Sequence, residues 1–263
     1  MGQSIVLQVL HRPATSLTCT LLGAIYLYIT TKGIGYDQVG LSYEKAVGRC
    51  EIWRIITAQL SHVELLHLLF NLTALWSLGD VEAADGFASK GGVAYVVQMS
   101  IVLLLLSGVV TVGLYHVAGK TLKREQFLSV TTVGYSAVIF GWMTILAATG
   151  VASFSVFGFG NIPMYLTPFA SLILTSIIIP RASFMGHLSG ILVGFLAATG
   201  ALDWLTLWWL ASLAVWAAAI TVYHMVRTER LQVPGLRMLH QDVGDIETGS
   251  PAVHIVGGVV ERR

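Results

Sequence analysis

An all-α membrane protein that crosses the bilayer several times is the fold class this sequence predicts, on three observations. Hydrophobic residues make up 55% of the 263-residue chain and charged residues 11%, against about 45–50% and 25% in an average soluble domain. Mean hydropathy is +0.75, so the chain lacks the polar surface to cover itself and a lipid bilayer is its expected solvent. Uncharged runs also recur at the length a crossing helix needs, about 20 residues.

Those runs set the elements in order. Spans are expected near 14–31, 61–79 (apolar except for His62, Glu64, His67 and Asn71), 93–115, 127–148, 164–180, 183–201 and 204–226. Each is expected as one continuous helix, because a backbone in lipid must satisfy its own hydrogen bonds. The stretch FGFGNIP, Phe157–Pro163, divides the long uncharged run from Gln126 to Pro180, since Gly and Pro punctuate helices. Trp204, Trp208, Trp209 and Trp216 give the last span the aromatics of a membrane interface. The organisation read from these runs is a short segment 1–13, a six-helix core 14–201, a seventh helix 202–226 and a polar tail 227–263. The tail has mixed charge and no long period, the composition of a disordered segment.

Several classes are excluded early. A net charge of +1 provides no field for nucleic acid. Cys19 and Cys50 form neither a CxxC pair nor a disulfide framework. The opening MGQSIVLQVLHRPA has no charged region ahead of a short apolar core, so no cleavable signal peptide is expected. Val6 stands where a myristoylation motif needs Ser or Thr.

Polar groups inside spans are costly and mark function. The second span carries His62, His67 and Asn71, the fourth carries Ser136 between Gly134 and Gly141, and the sixth carries His187 between Gly186 and Gly190. In an alternating topology the loops before these three spans share one face of the membrane. If each span is helical from its first residue, His67, Asn71, Ser136 and His187 lie about 9–15 Å below that face. Gly186, Gly190 and Gly194 form a small-residue stripe for close helix packing, with Gly134 and Gly141 as its expected counterpart. Such packing brings Ser136 to His187, a nucleophile and its base. No carboxylate lies deep in any span, so the pair forms a dyad without an acid. His67 and Asn71 become donors to a developing oxyanion, with a backbone N–H near Ser136. A metal site is not expected: His62 and His67 are five apart, about 140° around a helix, and Glu64 breaks the HExxH order. No cofactor is implied.

Taken together these residues resemble the rhomboid family of intramembrane serine proteases. The matching pieces are Trp53-Arg54, HxxxxHxxxN (His62, His67, Asn71), GxSxxxFG (Gly134, Ser136, Phe140, Gly141) and HxxGxxxG (His187, Gly190, Gly194). They span about residues 15–201 and look most like the plant rhomboid-like group. The resemblance implies a six-helix core plus one C-terminal helix, Ser136 as nucleophile and His187 as base, with His67 and Asn71 at the oxyanion. Phe140 falls where the family stacks a ring on the histidine. Trp53 and Arg54 fall where it orders the first loop, and His62 matches a further family histidine. Where the family usually has GxSG, this chain has Gly134-Tyr135-Ser136-Ala137. Transmembrane protein substrates in a eukaryotic endomembrane, ER or Golgi, are implied. The alternative is a weak or inactive member that binds transmembrane clients for quality control or trafficking. All Lys and Arg except Arg12 and Lys90 fall on the side of the site's mouth and the tail. The positive-inside rule then places the mouth in the cytosol, whereas the family's arrangement, the one favoured here, faces it away.

Overall fold

The computed structural model describes residues 4–83, 90, 92–150, 164–178, 183–228, 255–256 and 259–260. The break expected at 157–163 and most of the tail lie outside them. The protein is mostly helical: α1 (Ile5–His11), α2 (Pro13–Thr31), α3 (Tyr36–Val39), α4 (Arg54–Leu60), α5 (Leu65–Leu78), α6 (Val93–His116), α7 (Gln126–Ser129), α8 (Ser136–Thr149), α9 (Thr167–Ile178), α10 (Phe184–Ala198) and α11 (Leu207–Arg227). The tail holds a two-residue antiparallel pair, β1 (Ile255–Val256) with β2 (Val259–Val260), which its composition does not announce. Two compact units divide the chain, Met1–Leu207 and Trp208–Arg263.

Seven full-length spans are not what the described residues form. Three helices are long and apolar enough to cross a membrane: α2, α6 with its extension to Thr121, and α11. A fourth crossing arises if α4 and α5, bent by 90° at their junction, are taken together. Helices α8, α9 and α10 are apolar but only 14, 12 and 15 residues long. At 1.5 Å per residue they rise roughly 18–23 Å, short of the ~30 Å hydrocarbon core.

The largest departure is in the fourth expected span. Its helix begins at Ser136, not near 127, because the chain leaves the helical path after Ser129, bridges Leu41 at Thr132 and turns at Gly134-Tyr135. Val130-Thr131-Thr132-Val133 is a β-branched run that favours extended backbone, and Gly134 follows at φ +106°. The first loop satisfies this stretch. Leu41 and Thr132 exchange both backbone hydrogen bonds at 2.9 Å, and Gly134 N–H donates to the Ala58 carbonyl at 3.0 Å. Non-helical backbone is tolerated at membrane depth when protein, not lipid, supplies its partners.

Helix α8 lies at the centre of the first unit and packs most extensively on α10. The glycine stripe explains how closely. A Cβ at Gly190 would lie 2.0 Å from the Ala137 carbonyl oxygen, and one at Gly194 would lie 2.6 Å from that of Gly141. Gly141 turns its own missing Cβ toward Leu103 on α6, 2.6 Å away. Phe140, Leu172 and Ile191 form a core cluster joining α8, α9 and α10.

At the opposite end of the bundle, the buried Glu82 carboxylate closes the start of α2. It accepts from Ala14 N–H at 2.8 Å, from Thr15 N–H at 2.6 Å and from the Thr15 hydroxyl. These are two of the amides that a helix start leaves without intrahelical partners. Arg12 joins the same end by pairing with Asp80 and donating to the Trp76 carbonyl at 3.1 Å.

Candidate active site

Ser136 is the first residue of α8, held there by the turn at Gly134-Tyr135. Its own amide and that of Ala137 precede the first bond of the helix start, from Val138 N–H to the Tyr135 carbonyl at 3.0 Å. Amides so placed, with the positive end of the helix dipole, suit a developing anion. His187 is one turn into α10. Ser183 caps that helix, its hydroxyl accepting from Gly186 N–H at 3.1 Å and its carbonyl from His187 N–H at 3.0 Å. The result places His187 Nε2 2.9 Å from Ser136 Oγ.

The imidazole is buried and stacks on Phe140, with ring centroids 4.3 Å apart and planes at 19°. Its Nδ1 has no hydrogen-bond partner among the described residues. Helix α5 supplies the third wall. The Asn71 side-chain amide donates to the His67 carbonyl at 2.9 Å. That uses one of its two N–H groups. His62 is fully buried and meets His67 edge-on, with centroids 5.1 Å apart. A Cβ at Gly134 would lie 2.5 Å from His67 Cε1. Only glycine both takes that backbone conformation and admits the ring. Ser136, His187, His67, Asn71 and Phe140 all line one cavity of about 260 Å³, walled further by Phe70, Ala74, Met143 and Leu174.

The structure therefore gathers the polar residues picked out in the sequence, by a route other than the expected one. Depth does not come from counting helical rise, because ten residues before Ser136 are not one helix. Gly134 does not share a smooth helical face with Gly141. It precedes the helix and makes room for His67, while Gly190 and Gly194 meet the backbone of Ala137 and Gly141. Gly186 is less tightly packed: a Cβ there would lie 3.1 Å from Ser183 Oγ and 3.5 Å from Thr132 Oγ1. In the first loop, Arg54 is buried and its guanidinium donates to the Gln38 and Gly40 carbonyls, both at 2.9 Å, and to Glu51. Trp53 is 58% exposed. Among the described residues no group of three or more His, Cys, Asp or Glu side chains is placed to hold a metal.

A buried polar ladder beside the site was missed in the sequence. Gln59 accepts from Ser107 at 3.0 Å, Thr111 meets Ser189 at 2.8 Å, and Tyr115 meets Ser183 at 3.2 Å. Ser107, Thr111 and Tyr115 are spaced by four and share a face of α6. That spacing was the available signal.

The fold and these motifs define a class. The Rhomboid domain profile matches residues 49–204, more than half of the chain, and the chain belongs to the rhomboid family. With its apolar helices it is a multi-pass integral membrane protein. Among curated relatives, it is 29% identical over 198 residues to Rhomboid-like protein 15 of Arabidopsis thaliana, covering 73% of this chain and 47% of that protein. It is 29% identical over 189 residues to Rhomboid-type serine protease 2 of Saccharomyces cerevisiae, covering 70% and 67%. With Rhomboid-related protein 4 of Mus musculus it shares 30% identity over 164 residues, covering 62% and 50%. The chain thus spans about half the length of the Arabidopsis and mouse relatives.

Proposed function

We propose that this protein is an intramembrane serine endopeptidase acting on transmembrane segments of other membrane proteins. One observation carries the reading: the 2.9 Å approach of His187 Nε2 to Ser136 Oγ at the start of a helix. Ser136 Oγ forms a bond to the substrate's carbonyl carbon while its proton passes to His187 Nε2. The tetrahedral oxyanion is held by the amides at the start of α8 and by His67 and Asn71. The carbon–nitrogen bond then breaks as His187 returns the proton to the leaving amine. Water, with His187 again as base, releases the acyl group and restores Ser136.

The substrate is a transmembrane helix that unwinds locally, since a helical peptide bond is shielded from attack. Residues 14–201 are the catalytic core and residues 202–226, which hold most of α11, are the seventh, additional span. The setting is an endomembrane, ER or Golgi, with the mouth facing away from the cytosol. The yeast relative's description as a serine protease supports the activity class.

Ala137 favours a second reading, a weak or inactive client-binding protein. It stands where the family usually has glycine and is buried beside Ser136. Purified protein and its Ser136→Ala variant, each given a model transmembrane substrate, separate the two. Cleavage by the wild type alone is expected. Equal cleavage by both overturns the protease assignment, and cleavage by neither supports client binding.

A further inference from the structure

We infer that Tyr115 is a positioning residue for His187, acting through the cap of the helix that carries it. The inference rests on the protease reading and names a part of the site that the dyad alone does not include.

A catalytic histidine needs its ring held in one orientation, a task that a third group performs through the second ring nitrogen in a triad. Here His187 Nδ1 has no such partner among the described residues. Stacking on Phe140 fixes the plane of the ring but not its position along that plane. The remaining control is the backbone of the first turn of α10, and α6 holds that turn at two points. Tyr115, 1% exposed in the last turn of α6, shares a hydrogen bond with Ser183 Oγ at 3.2 Å. Thr111, one turn earlier, meets Ser189 Oγ at 2.8 Å, and Ser189 donates to the Gly186 carbonyl at 2.6 Å. The two anchors lie on either side of His187 in sequence.

Ser183 is the more direct link. Its hydroxyl accepts from Gly186 N–H and its carbonyl accepts from His187 N–H. One hydroxyl has two acceptor positions and one donor, so it serves the cap and Tyr115 together. The glycine stripe sets how near α10 comes to α8, and Tyr115 sets where the first turn stands once it is there. Removing the Tyr115 hydroxyl leaves the cap intact and frees the turn to shift. A general stabilising role predicts a loss of melting temperature. The positioning role predicts a loss in chemistry at unchanged substrate binding.

The test uses the full chain in lipid vesicles and a fluorophosphonate probe. Ser136 Oγ bonds to phosphorus, fluoride leaves, and His187 takes the proton. In Tyr115→Phe the labelling rate is expected to fall about ten- to a hundredfold, the scale of a sub-ångström to 1 Å misplacement. For a transmembrane substrate kcat falls and KM holds. Ser183→Thr, which keeps the hydroxyl, stays near wild type. Adding Tyr115→Phe to Ser183→Ala causes no further loss, because the link is already cut. Wild-type labelling of Tyr115→Phe, or losses that multiply in the double variant, overturns the inference while leaving the protease reading standing. Absence of labelling at Ser136 in the wild type overturns the protease reading, and this one with it. Should Tyr115→Phe not fold, Ser183→Ala against Ser183→Thr reads the link together with the cap that the same hydroxyl makes: equal rates overturn the inference.

Discussion

Replacing Gly190 by alanine tests the packing that assembles the dyad. The new Cβ would lie 2.0 Å from the Ala137 carbonyl oxygen and 2.9 Å from its carbonyl carbon. Both are backbone atoms, which have no rotamer to yield. Ordinary contact begins near 3.4 Å, so α10 must retreat by about 1.4 Å. His187 stands one turn away on the same helix. A retreat of that size in its direction takes Nε2–Oγ from 2.9 Å to about 4 Å, beyond any hydrogen bond. Overpacking costs about 1–3 kcal/mol, and a 1 Å misplacement costs a rate factor of about 100. Cleavage of a transmembrane substrate is therefore expected to drop at least that far, with a lower melting temperature in the same sample. A Gly190→Ala protein that melts like wild type refutes the packing argument. One that melts lower yet cleaves at the wild-type rate refutes the link from packing to dyad.

Two further predictions concern the supports of the site. Arg54→Lys keeps the charge but not the fork that reaches the Gln38 and Gly40 carbonyls through Nη1 and Glu51 through Nε, so the first loop should loosen by about 1–3 kcal/mol, read as faster hydrogen exchange at residues 36–49; unchanged exchange contradicts the role of Arg54. Outside the spans, Lys90 pairs with Asp203 at 2.8 Å, and that hydrogen bond raises the lysine above its ordinary pKa near 10.5. A raised folded value stabilises fully below the unfolded pKa and is lost as pH rises through the folded one. Both partners are partly exposed, so Lys90→Met should cost only about 0.2–1 kcal/mol at pH 7, with a melting difference that closes well above pH 10.5; a gap independent of pH refutes the pairing.

The residues of the site were easier to read from sequence than the shape that unites them. Ser136, His187, His67 and Asn71 stand out because each interrupts an apolar run, where any polar group needs a reason. The helix boundary before Ser136 was hidden for the same reason. Val130–Val133 is apolar enough to extend the expected span, although four β-branched residues followed by glycine also mark extended chain. Deciding between them requires knowing that Leu41 and Ala58 supply hydrogen bonds from a distant loop. Gly134 stands out in the sequence as a packing glycine but faces His67 and not a neighbouring helix backbone, since a missing side chain does not say which neighbour fills its place. The ladder at Ser107, Thr111 and Tyr115 escaped notice because hydroxyls in a membrane helix so often bond their own turn.

The cap on α2 bears on the order of assembly. Helix α2 is synthesised with the amides of Ala14 and Thr15 lacking Glu82, which follows 67 residues after Thr15. At about 5–20 residues per second that interval lasts roughly 3–13 s. Through it the first crossing helix has an unfinished end, and it gains its anionic closure only when the turn after α5 arrives beside it. The first span is thus completed retroactively, and a chain halted before residue 82 would leave it open.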